Sequence, residues 1–328
     1  MALPIIDMHV HAMTASGEDA GMRGDPPFPF NLPTEAWPAH DPREPWTRAF
    51  DRSMRAEPGP ATVWSPPTDD ELRDRTLEVM ERRNVIGVLC GPPERVAAWR
   101  ARAPHRTIPA VGLAVGWSDL TPDDLRRLHG EGRLDVLAEV SNQYAGVEPD
   151  DERFEPYLAA CEELDVPVGI HVGPGPPGAP YLPGLERYRA RLHSPLLLEE
   201  PLMRHPRLRV YVMHAGWPML DDMLAILWTH PRVHVDTGVI DYALPRPAFH
   251  RYLGALVEAG FGGRILFGSD HMLWPGAMEV AIESIETATF LTDEQRRAIL
   301  YGNAARFLRL DDAEVARHHA LGAAAGDA

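Results

Sequence analysis

The 328-residue sequence predicts an α/β fold, a single (β/α)8 TIM barrel with a long insertion after its first strand, and three observations carry that expectation. Short apolar runs alternate with amphipathic segments along the chain, the pattern of repeated βα units around a parallel sheet. The runs number eight, and right-handed crossovers leave few other closed arrangements for eight strands each followed by a helix. No GxGxxG or Walker-type loop speaks for the rival, an open doubly wound sheet.

In chain order, the first strand is PIIDMHVH, and the helix DDELRDRTLEVMERR leads to the second strand, VIGVLC (85–90). The third is TIPAVGLAV (107–115), the fourth LDVLAEV (134–140), the fifth VPVGIHV (166–172) and the sixth LRVYVMH (208–214). VHVDTG (233–238) and RILFGSD (264–270) complete the set. Helical periodicity marks TPDDLRRLHG, DDERFEPYLAACEEL, HSPLLLEEPLMRH, MLDDMLAILWTH, PAFHRYLGALVEAG and AMEVAIESIETATF between and after them. The barrel spans 1–310. Residues 14–67, rich in Pro, Gly and Trp, form an irregular insertion of the kind that covers a site or stays partly disordered. A second irregular loop, GPGPPGAPYLPGLERYRARLH, follows the fifth strand, and 311–328 reads as a tail, a fraying helix with a disordered end.

Composition excludes several function classes. Thirty-two Lys and Arg stand against 48 Asp and Glu, a formal charge of −16 with no basic run, so nucleic acid is excluded as a partner. Residues 1–12 lack the basic and apolar regions of a secretory signal, and no apolar run approaches the ~20 residues of a membrane span. The expectation is a soluble, cytoplasmic protein that binds a small-molecule substrate, with a homodimer as the default oligomer. Cys90 and Cys161 form no CxxC pair, so any metal site must come from histidines and carboxylates.

Catalytic groups of a closed barrel sit where strands end at its C-terminal face. His9 and His11 end the first strand, Glu139 lies on the fourth, His171 ends the fifth, His214 the sixth and Asp270 the eighth. Histidines at i and i+2 point the same way and can grip one cation, although an HxH pair alone is as often structural. Coincidence with three further strand ends points to metal. Aromatic residues follow several strand ends, and Trp117, Trp217, Tyr242 and Trp274 with Gln143 and Tyr144 are the candidate substrate contacts. His271, directly after Asp270, is either a substrate contact or a solvated loop residue. His40, His105, His129, His193, His205, His230, His234, His250, His318 and His319 fall mainly on helices, helix ends or loops and read as ordinary.

The motifs IIDMHVH, GIHVG, VMHAGWP, LFGSDH and GNAARFL resemble the amidohydrolase superfamily, in its amidohydrolase-2 branch of metal-dependent hydrolases and ACMSD-like decarboxylases. The resemblance implies that His9, His11, His171 and Asp270 surround a catalytic divalent ion, with His214 a base in mononuclear members and a second-metal ligand in binuclear ones. It also implies that Glu139 bridges two cations, one held by His9, His11 and Asp270 and the other by His171 and His214. The plain alternative for Glu139 is a buried carboxylate paired with an arginine or with backbone donors. Two ions are favoured over one, zinc before manganese, iron or cobalt. The expected reaction is hydrolysis of a small amide, ester or lactone, or of a phosphoester, with Asp270 and His214 catalytic. Non-oxidative decarboxylation is the rival, although HAGWP departs from the HxGE that many resorcylate-type decarboxylases carry. A non-catalytic metal-binding barrel is the third reading.

Overall fold

In the computed structural model the described residues are 2–18, 22, 24–32, 41–48 and 61–324. The strands are β1 (Ile5–His11), β2 (Pro29–Asn31), β3 (Thr62–Trp64), β4 (Val85–Cys90), β5 (Thr107–Leu113), β6 (Val136–Val140), β7 (Val168–His171), β8 (Val210–Met213), β9 (His234–Asp236) and β10 (Ile265–Leu266). All except β2 and β3 form one eight-stranded sheet, ordered in space as in the chain. Its neighbours pair in parallel, as βα repeats require. Two main-chain bonds bridge the seam between β10 and β1: Met8 N–H donates to Phe267 O (2.8 Å) and Asp270 N–H to His9 O (2.7 Å).

The principal helices on the outer face are α1 (Asp69–Arg82), α2 (Pro93–Arg102), α3 (Pro122–Gly130), α4 (Glu155–Leu164), α5 (Glu199–Arg204) and α6 (Leu220–Thr229). After β9 come α7 (Ile240–Ala243) and α8 (Arg246–Glu258), and after β10 α9 (Pro275–Glu286), α10 (Asp293–Arg297), α11 (Asn303–Leu308) and α12 (Asp312–Ala324). Their local causes are plain in α1: the Thr68 hydroxyl accepts from Glu71 N–H, acids fill the first turn, and Leu72, Thr76, Val79 and Met80 make one buried stripe. The predicted helix 193–205 divides into a 3-10 turn, Pro195–Leu198, and the short α5. Pro201 has no N–H to give to Leu197 O, so the α-helical bond joining the two pieces is missing, and Pro201 sits in the first turn of α5, where no such donor is needed. Among the described residues, no helix is long and apolar enough to cross a membrane.

Ile6, Met8, Ile86, Val88, Ala110, Val136, Ala138, Tyr211, Met213 and Leu266 fill the barrel interior, closed below by Tyr301, Ala304 and Phe307. A larger apolar layer lies between sheet and helices. Register shifts interrupt β1 between Asp7 and Val10 and β6 between Leu137 and Val140. Strict alternation would put Met8 and His9 on opposite faces; the shift lets Met8 join the inner core while His9 reaches the mouth. On β6 it does the same for Ala138 and Glu139.

The strands are shorter at their C-terminal ends than the apolar runs predict. β8 ends at Met213, where His214 turns into left-handed backbone, φ 59°, and β10 ends at Leu266, ahead of Asp270, whose φ is 48°. Within the predicted insertion, β2 and β3 form an antiparallel pair rather than irregular chain. Phe30 stacks on Trp274, with ring centroids 4.7 Å apart, and Trp274 Nε1–H donates to Phe28 O at 2.9 Å. Positions 19–21, 23, 33–40 and 49–60 of that segment, His40 among them, lie outside the described residues. The expected fraying tail is helical to Ala324 because His318 is buried against the Tyr301 hydroxyl (3.2 Å); 325–328 lie outside the described residues.

Asn303, from the closing GNAARFL motif, ties this lower layer to the sheet: Nδ2 donates to Ile265 O (2.7 Å) and Gly262 O (2.9 Å). Asn303→Ala strands these acceptors in a buried setting, so urea unfolding will show a loss of about 2 kcal/mol. A loss below about 0.5 kcal/mol, the range of an ordinary surface change, would mean that the carbonyls find other donors.

Candidate metal centre

The six strand-end residues meet at the C-terminal mouth. One ligand atom from each member lies within 4.8 Å of the others in three overlapping groups: His9–His11–Glu139, Glu139–His171–His214 and His9–His214–Asp270. On one side, His9 Nε2 and His11 Nε2 are 3.0 Å apart, and Asp270 Oδ1 lies 2.9 Å from the second and 3.6 Å from the first. Glu139 Oε2 faces the same two nitrogens at 3.8 and 3.6 Å. On the other side, His171 Nδ1 and His214 Nε2 are 2.9 Å apart, and Glu139 Oε1 touches the first and lies 3.7 Å from the second. Glu139 therefore offers a different oxygen to each histidine pair. No arginine pairs with it among the described residues, so the arginine form of the plain alternative finds no partner here.

Neighbouring groups hold each side chain in place. His214 Nδ1 lies 2.9 Å from Gly238 O; a carbonyl can only accept, so Nδ1 carries a proton and Nε2 is the nitrogen that faces the site. Glu139 N–H donates to Cys90 Sγ, the Tyr242 hydroxyl to Asp270 O at 2.6 Å, and Gln143 Nε2 to His171 O at 2.6 Å. Asp7 Oδ1 accepts from His9 N–H (2.9 Å) and Ser269 N–H (2.8 Å), locking the strands that bear His9 and Asp270 together. The Glu139 side chain is 18% exposed against 9% or less for the other five, so Glu139 is the member of the cluster most open to solvent.

The electrostatics are those of a mutually neutralising cluster. Burial pulls His9, His11 and His214 down, but facing carboxylates outweigh it. Asp270, Asp236 and Glu139 hold His9 well above the ordinary histidine value, Asp270 lifts His11 to about 10, and Glu139 and Asp270 raise His214. Against burial, His171 holds Glu139 well below the usual carboxylate range, and His9 with His11 lowers Asp270. His171 shifts down, pushed by burial and by His214. Both carboxylates thus stay ionised, and protons on the imidazoles neutralise the same charge that a cation would. Imidazole nitrogens and carboxylate oxygens converging at these distances form a donor set that fits divalent metal.

The residues expected around the rim divide. Trp117 is exposed and Trp217 half-buried, while the Tyr144 hydroxyl lies 3.5 Å from His171 Nε2 with its ring edge-on to that histidine. Gln143, Tyr242, His271 and Trp274 are buried, each with a partner inside the protein: His171 O, Asp270 O, the Thr76 hydroxyl (3.2 Å) and Phe28 O. Burial pushes His271 down to about 3.

Among the buried acids that escaped the sequence reading are Asp7 and Asp236. Both had a usable signal, since Asp7 sits inside IIDMHVH and Asp236 lies near the end of the predicted strand VHVDTG. His193 gave no signal; it is fully buried among Tyr144, Tyr188 and His171, its ring centroid 5.3 Å from that of His171.

Solved structures share this architecture. An uncharacterised TIM-barrel protein of Bordetella bronchiseptica is 18% identical with a TM-score of 0.61, the match covering 96% of this chain and 100% of that one. The 5-carboxyvanillate decarboxylase of Sphingomonas paucimobilis is 15% identical with a TM-score of 0.59, covering 94% and 100%. A probable 2-pyrone-4,6-dicarboxylic acid hydrolase of Acinetobacter baumannii, determined with citric acid bound, is 16% identical with a TM-score of 0.56, again covering 94% and 100%. At these identities the likeness is one of fold, shared by proteins named as decarboxylases and as hydrolases. No curated protein matches the chain by sequence. The amidohydrolase family model, by contrast, matches residues 6–310, through every strand that carries a ligand candidate, and the chain belongs to the amidohydrolase-2 family.

Proposed function

We propose that this chain is a metal-dependent hydrolase with a two-cation site at the barrel mouth, acting on a small amide, ester or lactone that has an apolar part. The observation that carries the reading is the division of Glu139, with Oε2 toward His9 and His11 and Oε1 toward His171 and His214. His9, His11 and Asp270 would hold one cation, His171 and His214 the other, and Glu139 would join them. This donor set suits zinc first, with manganese, iron and cobalt as alternatives. Divalent cations bound there supply a water nucleophile at neutral pH and polarise the acceptor oxygen of the substrate.

The chain's own groups do the rest. Asp270, its backbone pinned through Asp270 N–H to His9 O and Tyr242 OH to Asp270 O, orients the attacking water, takes its proton and passes it to the leaving group. His214 is held in the tautomer that presents Nε2. Decarboxylation, the rival, works with a single cation and leaves one Glu139 oxygen without a role. The same reading takes the partner to be a small molecule rather than nucleic acid, the chain to be cytoplasmic and its default assembly a homodimer.

Elemental analysis of protein saturated with zinc will find two ions per chain, and Glu139→Ala will hold at most one. A wild type that stops at one ion at saturation overturns the two-cation site. On a panel of small amides, esters, lactones and aromatic carboxylates, turnover will release acid without carbon dioxide, vanish on chelation and return with metal. Carbon dioxide as the product would make the enzyme a decarboxylase instead.

A further inference from the structure

We infer that Asp236 is a positioning residue that sets which nitrogen His9 presents to the site and where the backbone of His214 lies, so that one buried carboxylate governs both halves of the centre. For its effect on ion binding this rests on the two-cation reading above; for the hydrogen bond itself it does not.

Asp236 ends β9 and is fully buried. Its Oδ1 accepts from His214 N–H and Gly238 N–H, both at 2.9 Å. The first bond crosses from β9 to the residue after β8 and catches His214 in its left-handed conformation, φ 59°. Its Oδ2 lies 3.4 Å from His9 Nδ1, at the outer edge of hydrogen-bond reach, and neither atom has another partner among the described residues. Two orphaned polar atoms facing each other in a buried setting are satisfied together or not at all. Because an ionised carboxylate can only accept, the pair is satisfied when His9 carries a proton on Nδ1, which leaves Nε2 to face His11, Asp270 and Glu139.

Packing reserves the space for this pair. A Cβ at Gly238 would lie 2.7 Å from His9 Nδ1 and 3.2 Å from Asp236 Oδ1, and one at Gly268 would lie 3.0 Å from His9 Cβ and 3.1 Å from Asp236 Cγ. A side chain at Gly238 would force a shift beside His9 Nδ1, and one at Gly268 would press on both His9 and Asp236. A carboxylate on the far nitrogen of a metal-binding histidine fixes its orientation, and loss of such a partner costs 10- to 100-fold in metal affinity.

Asp236→Asn is the discriminating change. The two N–H groups at Oδ1 keep the amide oxygen there, so the amide NH2 faces His9 Nδ1 and can no longer accept its proton. Proton–nitrogen NMR of the wild type, with or without zinc, will show a slowly exchanging His9 Nδ1–H, and the variant will lack it. Zinc titration of the variant will show one site weakened about 10- to 100-fold, the other kept, and Asp236→Glu will recover part of the loss. A wild type without that Nδ1 proton overturns the inference, as does an Asn variant that binds both ions with wild-type affinity. If the Asn protein fails to fold, the wild-type spectrum still decides. A wild type that shows the proton but binds no zinc would sink the two-cation reading and leave Asp236 as the orienter of His9.

Discussion

Four imidazoles and two carboxylates packed into one buried barrel mouth are the constraint on which the rest of the structure depends. Burying so many ionisable groups is unfavourable unless each finds an opposite charge or a hydrogen bond. The cluster largely meets that condition internally: His9, His11 and His214 are raised by the carboxylates they face, Glu139 and Asp270 are lowered by the histidines they face, and burial with His214 holds His171 down. A cation bound there would enter the same balance in place of protons, and ion binding and acid–base state would then be two sides of one equilibrium.

Bringing the six groups together costs regular structure. β1 and β6 each shift register beside a site residue, and His214, Asp270 and the β-branched Val239 adopt positive φ. Conformations of that kind cost about 1–3 kcal/mol each and persist only where surrounding bonds over-determine them. Here Asp236 holds the His214 backbone, Tyr242 and the His9 carbonyl hold Asp270, and Asp7 clips β1 to the chain after β10. The irregularities therefore lie around the candidate site, where aim matters more than ladder regularity.

The opposite end of the barrel has a different task. Tyr301, Ala304 and Phe307 plug the interior, Asn303 caps carbonyls of the last strand, and α12 docks through His318. Stability concentrated at the lower face and strain at the upper face is the division expected of a barrel whose loops carry chemistry. It also explains why GNAARFL, far from every ligand candidate, belongs to the same set of motifs as the histidines: it sustains the strand that delivers Asp270.

The sequence by itself determined the eight strands, their order and which polar residues end them, because an apolar run interrupted by a histidine or acid is visible without neighbours. It also pointed to six residues that the fold brings into one cluster. It left undecided whether Glu139 faces the mouth or the core, since a one-residue shift reverses a strand's faces and the bulge in β6 depends on its neighbours. It named Gln143, Tyr242, His271 and Trp274 as candidate substrate contacts without showing their burial, which is supplied by segments distant in the chain, such as Phe28 and Phe30 over Trp274. Asp7 and Asp236 were present in the predicted strands but unread, for their roles exist only where two strands meet. Only the tertiary structure decided which oxygen of Glu139 faces which histidines, because that depends on distances across the closed barrel and not on positions along any one strand.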